Sequence, residues 1–377
     1  MKLKKVFLIC MIILQLVVIQ KSKEKCFATE NDNVNIEEVS LSVANNYNKS
    51  FENSALKNKL QGTNPIKFHL DVPPGNYDVT VELGDKYTSA STSVEGEARR
   101  AMIGETYTRS GHILKRKFTI NVREPEAQPT GEGGNGIPGL DITFLGQSPK
   151  VNGIKVAAAK KSQMVYLVGD STVCDRLAAP YAGWGEMIPQ YFKSHTCIAN
   201  YADCGESSST FLNTATLFPY IKQILKPNDY VLIQFGHNDK TSTADEYSNN
   251  LNTYVSECRK VGAIPVLVTP PVRRNFNSDN KTLSDTSLHV NSFGVNLPGI
   301  MKEVAIKNNV PLIDLTSKSK ELVESLGIDG CKKLYLTMED DGIEDHTHFS
   351  EYGANEMAKL VVQEIKELKI PITSKLR

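Results

Sequence analysis

Neither sign of charge dominates this chain: 43 Lys and Arg stand against 43 Asp and Glu in 377 residues. No basic excess points to nucleic acid, and no acidic excess to a solvating tail. Cysteine is scarce. Of seven, Cys10 and Cys26 precede residue 29, which leaves Cys174, Cys197, Cys204, Cys258 and Cys331, odd in number and without any C-x-x-C. A zinc knuckle or a disulfide scaffold is therefore excluded as the organising device, while a Cys197–Cys204 bridge in an oxidising compartment stays open. The G-x-S-x-G elbow of the α/β-hydrolase lipases is missing as well. Long apolar runs are confined to Val6–Ile19, which is short for a membrane span and follows Lys2, Lys4 and Lys5. Cys26-Phe27-Ala28 then offers small residues where a signal peptidase reads, so residues 1–28 are predicted to be a signal peptide cleaved after Ala28. The protein is expected to be secreted, with no stable membrane span after cleavage; an uncleaved anchor is the rival reading.

Residues 29–51 are polar and asparagine-rich and read as a linker or a loose first strand. From there to residue 158 the apolar residues alternate. Ile66, Phe68, Leu70 and Val72 form one run, Tyr77, Val79, Val81 and Leu83 a second, and Pro73-Pro74-Gly75-Asn76 between them predicts a hairpin. Phe118–Val122, Leu140–Phe144 and Val151–Val156 repeat the pattern, and no helical period intervenes. Residues 52–158 are thus expected to be a small β-sandwich of the galactose-binding-like kind, with Phe68, Tyr77, Phe118 and Phe144 on the core-facing phase. Gly131–Gly136 matches G-x-G-x-x-G, but its flanks, REPEAQPT and IPGLDITF, supply neither the strand nor the helix a dinucleotide site needs. No cofactor is expected.

After Ala157–Ser162 the pattern changes. Apolar runs at Met164–Val168, Cys197–Tyr201, Tyr230–Phe235, Ile264–Thr269 and Val310–Asp314 alternate with helical stretches at Gly185–Phe192, Ser209–Leu225 and Ala244–Val261, another ending near Asn308, and others at Ser317–Leu326 and Ser350–Leu368. That grammar predicts an α/β fold over residues 162–370: a three-layer, flavodoxin-like α/β/α domain on a five-stranded parallel sheet. Open sheets of this kind place their chemistry at the carboxyl ends of the strands. There the sequence puts Gly169-Asp170-Ser171, then Asn200 to Ser207 with Asp203 and Gly205, then Gly236-His237-Asn238-Asp239, and before the last helix Asp345-His346-Thr347-His348-Phe349.

Together these clusters hold what acyl transfer requires: a hydroxyl, an imidazole, a carboxylate to orient it, and amide donors. Asp345 precedes His348 by one turn's span, so its carboxylate can reach the ring N–H and fix the tautomer. Asn238 can donate through its NH₂ where an aspartate could not. His237 and Asp239 are read as shaping their own loop. His346 and His348 form an H-x-H beside an acid, a pattern that can hold a metal, but the reading is that no metal is bound.

Four ordered blocks, GDS, a loop glycine, GHND and D-x-x-H, resemble the SGNH (GDSL-type) hydrolase superfamily over roughly Met164–Leu368. Within it, Tyr181-Ala-Gly183-Trp184-Gly185, Phe235–Asp239 and the Asp345–Phe349 ending resemble the rhamnogalacturonan acetylesterases, which remove acetyl groups from pectin and whose bacterial members often carry an N-terminal β-domain. The resemblance implies that Ser171 is the nucleophile, His348 the base and Asp345 its partner. It also implies oxyanion donors at the backbone N–H groups of Ser171 and Gly205 and the side chain of Asn238. Thr172 stands where the GDSL name has leucine, a variable position. Asp170 is expected to brace the turn rather than act as the triad acid.

Substrate contacts are less determined. Trp184, between two glycines, is either a sugar-stacking platform or a lid over the core. Arg273 and Arg274 follow the fourth strand, and arginine binds the carboxylates of galacturonate in bidentate fashion; a solvated pair in a surface loop is the alternative. The expected partner is acetylated plant cell-wall polysaccharide, acted on by a monomer. A xylan acetylesterase or a lipolytic SGNH esterase is the neighbouring reading, and a carbohydrate-binding protein with a non-catalytic hydrolase domain is the reading from another class.

Overall fold

A computed structural model describes residues 65–131 and 136–377; the signal segment, its cleavage point and the linker expected over 1–51 lie outside them, as does the middle of the G-x-G-x-x-G match. The first half is all strand: β1 (Ile66–Leu70), β2 (Gly75–Leu83), β3 (Ala90–Gly96), β4 (Arg100–Thr108), β5 (Leu114–Val122), β6 (Leu140–Ser148) and β7 (Val151–Ala158). They make two antiparallel sheets, ordered β1-β6-β3-β4 and β5-β2-β7. Alternation puts Tyr77, Val79, Val81 and Leu83 of β2 inside with Phe118, Ile120, Ile142, Phe144 and Val156. Tyr77, Phe118 and Phe144 are therefore core, whereas Phe68 on β1 is only partly buried.

The hairpin expected around Pro73-Pro74-Gly75-Asn76 is not formed. β1 pairs with β6, whereas β2 pairs with β5 and β7 in the other sheet. Two adjacent prolines have no N–H to give a ladder, so this segment crosses between sheets. It is pinned by the Tyr77 hydroxyl, which donates to the Pro73 carbonyl at 2.7 Å. Strands β3 and β4 had no clear signal. The inward positions of β3 are Ala90, Thr92, Val94 and Gly96, too small and mixed to read as an apolar alternation.

The second half runs β8 (Gln163–Gly169), α1 (Trp184–Met187), β9 (Thr196–Asn200), α2 (Ser208–Asn213), α3 (Phe218–Ile224), β10 (Tyr230–Gln234), α4 (Ala244–Lys260), β11 (Ile264–Val268), α5 (Leu297–Asn308), β12 (Leu312–Ile313) and α6 (Leu315–Gly330). It closes with β13 (Tyr335–Leu336), α7 (Met338–Asp341), β14 (Asp345–Phe349) and α8 (Glu351–Glu367). The expected five-stranded sheet is present, parallel throughout, in the order β12-β11-β10-β8-β9. Both its faces are buried. Val165 and Leu167 of β8 pack with Leu232 and Val266 beneath Met187, Val323 and Met357. Tyr166 and Val168 pack with Val231 and Ile233 beneath Phe211, Phe218, Leu251 and Met301 on the other face. This is why β8 and β10 read as unbroken apolar runs.

Helix ends follow local chemistry. Thr243 and Glu246 form a reciprocal capping box at the start of α4. The single helix expected over Ser209–Leu225 is two, because α2 stops at Asn213 and Pro219 opens α3 in the first turn, where a missing N–H costs nothing. The helix expected over Gly185–Phe192 is the short α1 followed by a 3₁₀ turn, Ile188–Tyr191. The β layer lies along β9, the edge of the parallel sheet: the His195 N–H donates to Thr119 Oγ1 of β5, and Cys197 Sγ to Asn76 Oδ1 of β2. Both layers belong to one compact unit.

Candidate active site

Strands β10, β8 and β9 are neighbours in that order, so the loops at their carboxyl ends stand side by side. The loop after β8 carries Ser171, the loop after β9 carries Gly205, and the loop after β10 carries Asn238. Ser171 sits in a tight turn in which the N–H groups of Val173 and Cys174 both donate to the Asp170 carbonyl, at 3.0 and 3.1 Å. Asp170 braces that turn, as the sequence suggests. Its Oδ1 accepts from Thr172 N–H at 2.9 Å and from Thr172 Oγ1 at 2.7 Å, and its Oδ2 lies 3.3 Å from His237 Nδ1. Full burial opposes ionisation of Asp170, yet His237 and the Thr172 donors outweigh it and hold the carboxyl below its ordinary range. Burial pushes the His237 imidazole down, only partly offset by Asp170.

A continuous relay runs from Ser171. Its Oγ is 2.8 Å from His348 Nε2, and His348 Nδ1 is 2.7 Å from Asp345 Oδ2. Asp345 Oδ1 accepts from the backbone N–H groups of Thr347 and His348, at 2.7 and 3.0 Å. Burial would raise the Asp345 pKa, but the His348 ring and these two backbone donors hold it well below the carboxylate range. Asp345 and His348 are brought together on strand β14. That strand is tied back to the Tyr181–Gly185 segment by the Ala182 N–H, which donates to Phe349 O at 3.1 Å, and Tyr181 meets the His348 ring edge-on at 5.5 Å. His346, two residues away, bonds elsewhere, to Asn275 and Glu344.

The residues expected as oxyanion donors sit on the loops after β9 and β10, next to the loop that carries Ser171. Gly205 is solvent-exposed at φ 77°, a left-handed conformation that suits glycine. The Asn238 amide gives one N–H to Glu206 O at 3.0 Å, which fixes its plane and leaves the second N–H for a ligand. Asp239 shapes the same loop by accepting from Ser208 N–H and Oγ, and burial pushes its pKa up to about 6.

Two expected substrate contacts are overturned. Trp184 is buried, 1 % exposed, and its Nε1–H donates to Gln234 Oε1 at 2.7 Å. Gln234 Nε2 in turn donates to Thr172 Oγ1 at 2.8 Å, so the indole supports the Ser171 turn from below and presents no face to a sugar. The flanking glycines serve close approach: a side chain on Gly185 would run into Val173 O, Asn200 and Leu167. Arg274 is buried, and its Nη2 pairs with Glu344 against the Tyr335 ring while its Nε is buried without a partner among the described residues. Arg273 is only partly buried; it donates to Thr347 Oγ1 at 2.8 Å and His237 O at 2.9 Å and keeps further N–H groups for a ligand. It lines a cavity of about 380 Å³ with Gly236, His237, Lys240, His289 and Asn291. Lys240 and Gln234 escaped the sequence reading. Gln234 had a usable signal, a lone amide closing a buried apolar strand; Lys240 had none. The possible Cys197–Cys204 bridge is also not set up, since Cys204 lies beside Cys174, with the sulfurs 3.6 Å apart.

A parallel α/β/α sheet of this order, with a hydroxyl–imidazole–carboxylate relay across its strand ends, defines an SGNH-type hydrolase. Residues 165–361 match the GDSL-like lipase/acylhydrolase family, and the chain belongs to that family and is an esterase. Rhamnogalacturonan acetylesterase RhgT of Bacillus subtilis (strain 168) is 37% identical over 233 residues, 58% of this chain and 95% of that one. Probable rhamnogalacturonan acetylesterase YesY of the same strain is 34% identical over 221 residues, 56% of this chain and 96% of its own. The X-ray structure of protein YxiM from Bacillus subtilis matches with a TM-score of 0.51 at 26% identity and covers 81% of each chain, more than the α/β half alone.

Proposed function

We propose that this protein is a secreted acetylesterase that removes O-acetyl groups from an acidic, pectic polysaccharide of the rhamnogalacturonan type. Ser171 Oγ attacks the acetyl carbonyl carbon while His348 Nε2 takes its proton, and Asp345 holds the ring and stabilises the imidazolium that forms. The N–H groups of Ser171 and Gly205 and the Asn238 amide receive the oxyanion; donors of this kind each contribute about 10²–10³ in turnover. Collapse breaks the bond to the sugar oxygen, which takes the proton from His348 and leaves as an alcohol. Water, deprotonated by the same ring, then attacks the acetyl-serine, and acetate leaves as Ser171 recovers its proton.

One observation carries the choice of an acidic substrate over acetylxylan or a lipid ester. The cavity beside the relay is lined by two cations, Arg273 and Lys240, and by no acidic side chain. A uronate carboxylate supplies the missing charge, and Arg273 is joined through Thr347 to strand β14, which carries Asp345 and His348, and through His237 to the loop after β10. The names of the two relatives agree with it. The test compares acetate release from acetylated rhamnogalacturonan, acetylxylan and a neutral aryl acetate, for wild type, Lys240→Ala and Arg273→Gln. Raised KM on the acidic polymer alone is expected. Equal losses on all three substrates, or a wild type that prefers acetylxylan, would overturn the pectic assignment.

A further inference from the structure

The loop that presents Gly205 is held from two sides. From the α/β half, Asp203 N–H donates to Gly169 O at 3.0 Å and Asn238 Nδ2 donates to Glu206 O at 3.0 Å. From the β layer, Gln128 Oε1 accepts from the Cys204 N–H at 2.9 Å, and the Thr130 N–H donates to Asp203 Oδ2 at 2.9 Å. The two β-layer bonds therefore grip the residues immediately before the glycine. Packing at the glycine itself does not set its position: a side-chain carbon placed on Gly205 would meet nothing within 4 Å. Whatever fixes the Gly205 N–H acts through its neighbours in the chain.

Gln128 is built for that contact. It is fully buried, and its Oε1 has the Cys204 bond while its Nε2 has no partner. A buried amide left half-unsatisfied is costly, so what this residue does must be read from the atom that is bonded. Its backbone is also held unusually. Ala127 adopts φ 62°, and its carbonyl accepts from Arg123, whose guanidinium lies over the Tyr201 ring at 4.7 Å. Arg123 thus ties the Gln128 segment to the end of β9, the strand that leads into the Gly205 loop.

We propose that Gln128 and Thr130 of the β layer are positioning residues for the esterase reaction: they set the Cys204–Gly205 segment so that the Gly205 N–H faces the oxyanion formed at Ser171. The β layer is then part of the reaction centre's scaffold and not a separable sugar-binding module. This rests on the esterase mechanism above, and the experiment separates the two. Hydrolysis of a neutral aryl acetate, too small to touch the β layer, is measured for wild type, Ser171→Ala, Gln128→Ala, Gln128→Glu and Thr130→Pro, with melting temperatures alongside. Gln128→Ala strands the Cys204 N–H, and Thr130→Pro deletes the donor to Asp203. Each is expected to lower kcat by about 10–100-fold, part of the loss for deleting a whole donor, with KM nearly unchanged. Gln128→Glu keeps an acceptor oxygen and is expected to restore kcat to within about threefold of wild type. If Gln128→Ala fails to fold, Thr130→Pro, at an exposed position, decides the matter. Variants that fold and keep kcat within twofold, or that change KM alone, would overturn the proposal. Activity that survives in Ser171→Ala would instead overturn the mechanism on which it rests.

Discussion

Replacing Asp345 by Asn tests the relay at its most discriminating point. The two oxygens of Asp345 face different partners: Oδ1 accepts from two backbone N–H groups, at 2.7 and 3.0 Å, and Oδ2 accepts from His348 Nδ1 at 2.7 Å. An asparagine has one acceptor and one donor end. The paired backbone donors select its oxygen, because turning the NH₂ toward them would set donor against donor twice. The NH₂ must then face His348 Nδ1, which can accept only if the ring proton moves to Nε2. A ring protonated at Nε2 offers Ser171 a donor where the reaction needs a base. The variant therefore keeps its shape and loses the tautomer, as well as the charge that stabilises the imidazolium. A loss in kcat of about 10³–10⁴ is expected, equivalent to about 4–5.5 kcal/mol in the barrier. Hydrolysis of an aryl acetate near pH 7, with the melting temperature as control, measures it. A folded Asp345→Asn protein within tenfold of wild type would refute the assignment of Asp345 as the orienting acid.

Other consequences follow from the same contacts. Trp184→Phe removes the donor to Gln234 Oε1 inside the core, so urea unfolding should show a loss of about 1–3 kcal/mol with KM on polysaccharide unchanged; raised KM at unaltered stability would return the indole to the sugar site. Asp239, raised to about 6 against 3.8 unfolded, binds its proton more tightly in the folded state, so the stability linked to it is present below about pH 4 and is lost as pH rises through 6. Asp239→Asn should therefore gain relative to wild type between pH 4 and pH 7.5, by roughly 3 kcal/mol at most, and parallel pH–stability curves would contradict the raised value. Asp345 has the opposite sign: its depressed carboxyl contributes stability above the ordinary carboxylate range that is lost in acid, and the relay should fail there with it.

How much of this was legible depended on the range of the interaction. The parallel sheet could be read because strands buried on both faces are continuous apolar runs, and each ends abruptly in polar residues where the sheet ends. The Asp345–His348 pair could be read because it is local. Positions set by distant partners could not. Trp184 flanked by glycines reads equally as an exposed platform or a buried prop, and only Gln234, fifty residues on, decides. Adjacent Arg273 and Arg274 have the same sequence context but different fates: Arg274 is buried against Glu344, and Arg273 stays partly exposed in the cavity with Lys240. The Pro73-Pro74 turn looked like a hairpin because alternation reports a strand's faces but not its partner.

The contacts beneath Ser171 argue that the β layer and the nucleophile turn were shaped together. Arg100 of β4 is fully buried; its Nε donates to Asp175 Oδ2 at 2.6 Å and its Nη1 donates to Asn121 O at 2.6 Å. Asp175 Oδ1 accepts from Asn200 Nδ2 at 2.7 Å, and the same amide also donates to Val173 O at 2.8 Å. One buried ion pair therefore joins the β layer, the turn after Ser171 and the end of β9. Such pairs add little net stability, because desolvation offsets the attraction, but truncating one partner costs about 3–5 kcal/mol. Their effect is to make one geometry far better than its neighbours. A nucleophile that must stay 2.8 Å from its base through two chemical steps depends on that kind of constraint more than on an additional fraction of global stability. Asp170, Thr172, Gln234 and Trp184 supply it from within the α/β half, and Arg100 supplies it from the β layer.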